Sequence, residues 1–207
     1  MNFDIIRLAM CGHEIGHMSM VYWRAESLYS CKAVVNDDGS GQVSRSTGSK
    51  AITELMVKIA GPLVEHLFYG STPDRAIRFA SEYKDPQSDS SVIREMVRGF
   101  CNGVDSRKFQ FQVQEQTRSV IQQPAMWLAI KEAAEKLYQA GSITGEEVEA
   151  ILGNHGAPTM FNSPAMLEWV KSLGTLPRLC DHSACSIDTT SQQPDAGLLQ
   201  AHESVAE

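Results

Sequence analysis

The stretch CGHEIGHM, residues 11–18, decides how this chain reads, because it sets His13 and His17 four residues apart with Glu14 between them. Residues four apart on a helix share a face, so both imidazoles can reach one ion. Glu14 then lies near enough to hold a water at that ion without being a ligand. Outward from this core, Ile6 and Met10 fall near the same stripe as the two histidines, and Asp4 can cap a helix from about residue 5 to about residue 24. Leu8, Met10, Met18 and Met20 flank the motif and half-bury its metal face. Gly16 costs a helix interior about 1 kcal/mol relative to alanine. Its expected role is to let a hairpin strand or a substrate backbone approach the metal. Cys11 falls off the metal face and reads as a small buried hydrophobe.

Downstream, LYSCKAVV (residues 28–35) has strand composition, and the turn cluster NDDGSG and a short GQVS follow it. The expected element is a small hairpin. AITELMVKIAGPLVEHLFYG (residues 51–70) carries Ile52, Leu55, Met56, Ile59, Leu63, Leu67 and Phe68 at helical spacing, with Gly61-Pro62 as a kink point and Gly70 as its C-cap. Residues 71–88 read as irregular or briefly helical. A helix is expected from Ser88-Asp89, with Val92, Ile93, Met96, Val97 and Phe100 inward. Residues 106–122 are helix-compatible, and Pro124 restarts the pattern through Tyr138. Thr144-Gly145-Glu146-Glu147 is a capping box for EEVEAIL. Ser163-Pro164 opens a last short helix, AMLEWVKSL. The fold class is therefore mainly α with one small β-hairpin. Residues 1–176 form one domain, and residues 177–207 form a polar tail expected to be disordered.

Composition narrows the function. The chain has 207 residues, 43% hydrophobic and 21% charged, an ordinary globular balance. Its net charge of -7 argues against nucleic acid or an anionic membrane as partner. No apolar run is long enough to span a bilayer, and the start of the chain does not read as a signal peptide. The five scattered cysteines fit a reducing cytoplasm. GQVSRSTGSK (residues 41–50) lacks the order of a phosphate loop and reads as a flexible loop. Cys180, His182 and Cys185 look like a ligand cluster but lie in the polar tail without a fourth partner.

A catalytic zinc site wants three protein ligands and one open position. His13 and His17 supply two. After His17 the sequence runs MSMVYW, which excludes the metzincin pattern. A glutamate at Glu54 or Glu65, or an aspartate at Asp85 or Asp89, can supply the third.

Three segments taken in order resemble the peptidase domain of the FtsH family, the membrane-anchored AAA+ zinc proteases. CGHEIGHM is similar to that family's HEAGH helix. AGPLVEHLFYG is similar to its glycine-rich helix, with Gly61, Glu65, Leu67 and Gly70 in their relative places. QSDSSVIREMV is similar to the helix that carries the family's third zinc ligand, and EKLYQAGSITGEEVEAIL to its C-terminal helix. The resemblance spans about residues 7–152. It implies a helical zincin-like peptidase domain, here without the ATPase module, and Zn2+ bound by His13, His17 and an aspartate. Asp89, preceded by Ser88, is favoured, with Asp85 as the alternate. Glu65 is the candidate to receive an N–H from a ligating histidine, and His66 is expected to pack at the helix edge.

The expected activity is zinc-dependent hydrolysis of peptide bonds in flexible or unfolded polypeptides, with Glu14 as general base and no ATP dependence of its own. The partners would be the polypeptide substrate and either a separate unfoldase or further copies of the chain. The strand at residues 28–35 would offer its edge to an extended peptide. HEIGH also occurs in ImmA/IrrE-type regulatory metallopeptidases that act on repressors, which would use Glu54 or Glu65 as third ligand. A catalytically silent metal-binding adaptor is the other alternative.

Overall fold

The computed structural model describes residues 3–36, 40–44, 52–68, 88–100, 105–162 and 168. The tail cluster, Asp85, Gly70, the stretch 71–87 and most of the segment AMLEWVKSL lie outside them. Helix α1 (Phe3–Trp23) begins just ahead of the expected Asp4 cap. Strands β1 (Lys32–Val35) and β2 (Gly41–Ser44) follow, then helices α2 (Ile52–Phe68), α3 (Asp89–Phe100), α4 (Ser106–Ile121) and α5 (Pro124–Ala140). A short strand β3 (Ser142–Thr144) and helix α6 (Gly145–Asn154) come next, and a 3-10 turn (Met160–Asn162) ends the described core.

Helix α1 is the spine. Ala9, Cys11, Ile15, Met18, Met20, Val21 and Trp23 are buried and lie on all its sides, which is the signature of a helix surrounded by other elements. It packs mainly on α2 and α5, and further on α6 and the sheet. Cys11 is buried as expected, and burial pushes its thiol up to about 11. Helix α3 buries Ile93 and Val97, with Met96 and Phe100 packed against the core. Helix α2 runs unbroken through Pro62. The capping box on α6 forms as read: Thr144 accepts from the Glu147 N–H, and the Glu147 carboxylate accepts from the Thr144 N–H.

The hairpin expectation needs correction in two ways. The strand is shorter than residues 28–35, because Leu28 to Cys31 closes a turn through a Cys31 N–H to Leu28 C=O bond of 2.8 Å. The sheet also has three strands in the order β2-β1-β3, all antiparallel. Lys32, Ala33 and Val34 face Ser44, Val43 and Gln42 on one side and Thr144, Ile143 and Ser142 on the other. Strand β1 is thus central and offers no edge, contrary to the expectation. Strand β2 is an edge.

Among the described residues, no helix is long and apolar enough to cross a membrane.

Candidate metal centre

Two helices cross with glycines where they touch. A Cβ at Gly16 would lie 2.7 Å from the Ala60 carbonyl oxygen of α2. Gly16 therefore accommodates the neighbouring helix, and the expectation that it admits a hairpin or substrate backbone is corrected. Gly61 answers it from α2: a Cβ there would fall on the His17 ring and 2.9 Å from Cδ2 of His13. The hairpin makes its own close approach at Gly41 in β2, where a Cβ would stand 2.5 Å from Oε1 of Glu14. The imidazoles thus lie against α2, and the Glu14 carboxylate lies against β2.

The histidines are held at their Nδ1 atoms. His13 Nδ1 is 2.8 Å from Oε2 of Glu65, and His17 Nδ1 is 2.8 Å from the carbonyl oxygen of Val57. Carboxylate and carbonyl oxygens only accept, so each Nδ1 carries the proton and donates it. In the neutral rings both Nε2 atoms are then bare acceptors. Both lie 3.0 Å from the same atom, Oδ2 of Asp89.

Asp89 comes from the first residue of α3. An aspartate there often caps its own helix, but Ser88 does that work: its Oγ accepts from the Ser91 N–H, and its carbonyl accepts from Ser91 and Val92. The Asp89 carboxylate is left to face α1 and α2. Its second oxygen, Oδ1, is 3.1 Å from the Lys58 ammonium.

Three acceptor atoms therefore converge, and among the described residues His13, His17 and Asp89 are a group that could hold a metal ion, with ligand atoms within 4.8 Å of one another. Neutral imidazole nitrogens and a carboxylate oxygen repel at this range unless a cation or protons stand between them, so the donor set fits a divalent ion. Protons are the alternative occupant, and the electrostatics say so. Burial disfavours the His13 imidazolium, yet hydrogen bonds to Asp89 and Glu65 outweigh it and push His13 up to about 10. Burial likewise opposes the Asp89 anion, but His17, His13 and Lys58 hold its carboxyl far below the usual carboxylate range. Burial pushes Glu14 up, against the lowering pull of His13 and His17.

The remaining sequence candidates fall elsewhere. Glu65 lies on the Nδ1 side of His13, as a partner of the imidazole. Glu54 is 2.8 Å from Arg24 at the far end of the helix pair. His66 is buried and outside the metal-binding group. Sequence reasoning missed Lys58, the Val57 carbonyl and Gly41. For Lys58 a signal existed: Lys58, Gly61 and Glu65 follow helical spacing on one stripe of α2. The carbonyl and Gly41 act through contacts distant in the chain and leave no local trace.

Compared with known proteins, the chain matches no family model, no curated protein and no solved structure.

Proposed function

We propose that this chain is a zinc-dependent endopeptidase of the FtsH type, acting on flexible or unfolded polypeptides. The observation that carries the reading is the convergence of His13 Nε2, His17 Nε2 and Asp89 Oδ2, with the buried Glu14 beside the two histidines. Two imidazoles and one carboxylate suit zinc and leave a position open for chemistry. Zinc held there supplies Lewis acidity toward a water and a peptide carbonyl.

The chain's own residues do the rest. Glu65 and the Val57 carbonyl fix the tautomer and direction of the histidines. Among the described residues no hydrogen bond ties down the Glu14 carboxylate, so it is free to take a proton. Its burial raises its basicity toward the range a general base needs. Glu14 takes the proton of the attacking water and delivers it to the leaving amine nitrogen. Strand β2, at the sheet edge and against Glu14, is the element to which an extended peptide adds as a further strand.

The ImmA/IrrE-type reading needs Glu54 or Glu65 as ligand, and the positions of both weigh against it. A silent adaptor has no use for Glu14. The test is Glu14→Gln on an unstructured casein-type substrate. Cleavage should fall about 10²–10⁴-fold, the usual contribution of a general base, while zinc content stays at the wild-type level. An undiminished rate rejects the mechanism.

A further inference from the structure

We propose that Lys58 is a positioning residue that makes Asp89 a one-oxygen ligand, so that the metal keeps an open coordination position. The inference rests on His13, His17 and Asp89 being the ligand set. Nothing in the covalent structure of aspartate selects one oxygen, because its terminal torsion is soft and nearly two-fold. The surroundings make the choice. Oδ2 stands 3.0 Å from both Nε2 atoms, and Oδ1 is engaged 3.1 Å away by the Lys58 ammonium. Ser88, which precedes Asp89 in the chain, has its hydroxyl turned to Ser91 as cap and partner.

The choice matters for the chemistry. A catalytic site takes three protein ligand atoms and keeps the next position for water or substrate. A carboxylate binding through both oxygens would occupy that position. Lysine suits the task because it is a compact point charge that can engage one oxygen. It also offsets one negative charge where Glu14, Glu65 and Asp89 crowd together. The placement is fixed by α2 itself. Lys58 stands one turn before Gly61, which admits the imidazoles, and two turns before Glu65, which orients His13. One helical stripe thus holds the non-ligating side of a ligand carboxylate and of a ligand imidazole.

Cobalt(II) in place of zinc on the full chain reads this directly, because its visible bands weaken as coordination rises from four to five or six. The wild type should give the strong bands of a four-coordinate ion. Lys58→Met should bind cobalt with weaker, five-coordinate bands and lose about 10–100-fold in kcat, as second-layer changes at metal sites do. Lys58→Arg, which keeps a donor to Oδ1, should restore the strong bands and most of the rate. Bands in Lys58→Met identical to those of the wild type overturn the role of Lys58 and leave the metal centre standing. Absence of cobalt bands in the wild type overturns the ligand set itself, and this inference with it.

Discussion

The same two helices, α1 and α2, carry a polar cluster at each end of their contact, and the two clusters are built on opposite plans. At one end Arg24 pairs with Glu54 at 2.8 Å and with Glu26, so guanidinium donors meet carboxylate acceptors. At the other end His13 and His17 spend their donors outward, on Glu65 and the Val57 carbonyl, and aim their remaining acceptors at a carboxylate oxygen. The first arrangement is complete as a piece of packing. The second makes sense only around a positive charge. Burial of ionisable groups is therefore a poor guide to function, and the direction of the donors is a better one.

The comparison can be broken most forcefully at the closed end. Glu54→Leu takes from the buried Arg24 its buried partner and leaves it the half-exposed Glu26. The expected cost is about 3 kcal/mol, the lower end for removing one member of a buried pair. Urea unfolding would measure it, and zinc affinity should not change. A loss of zinc instead would return Glu54 to the ligand set.

At the open end the effects should appear in metal binding. Glu65→Gln keeps an acceptor for His13 but removes its charge, and zinc affinity should fall about 10–100-fold with little change in unfolding free energy. Gly61→Ala should lower it at least as much, since the added methyl meets both imidazoles. Helix propensity alone would make that change favourable by about 1 kcal/mol. Gly153→Ala in α6, where a Cβ meets nothing within 4 Å, is the control and should show only that gain. Chelator competition separates the three.

The smallest effect is in protons. Metal-free His13, raised to about 10 from 6.5, is protonated at neutral pH, so zinc must displace that proton. Calorimetry in buffers of different ionisation enthalpy should report about one proton released per zinc near pH 7, fading as pH passes 10. The same shift sets a stability trend. His13 adds stability to the metal-free protein fully below 6.5, and this is lost as pH climbs through about 10. Zinc binding without proton release would mean that His13 is already neutral.

How much of this the sequence carried depended on how local each feature is. His13, Glu14 and His17 lie within one helical turn and a fraction, and four-residue spacing on α1 is enough to bring the histidines together. Ser88-Asp89 was legible as a helix start, and the structure places Asp89 at the first residue of α3. The third strand was not legible. Ser142–Thr144 is three residues long, and in the sequence those residues read only as the lead-in to the Thr144 capping box. It forms because β1 has a second edge to satisfy, a fact about another part of the chain. That omission also misplaced the sheet edge from β2 to β1. Gly16 was noticed for its cost, but its partner, the Ala60 carbonyl, is set by helix crossing and not by neighbours in sequence. Lys58 shared a helical stripe with Gly61 and Glu65, but its partner Asp89 lies on another helix, so the stripe alone did not show what it holds.

The central claim is that Asp89 and the two histidines hold one metal ion, and zinc titration of wild type, Asp89→Asn and Asp85→Asn by chelator competition tests it most directly. Wild type should bind one zinc per chain. Asp89→Asn should weaken binding by more than the roughly 100-fold upper range of outer-layer changes, and Asp85→Asn should leave it unchanged. Wild-type affinity in Asp89→Asn, or a loss confined to Asp85→Asn, would contradict the account.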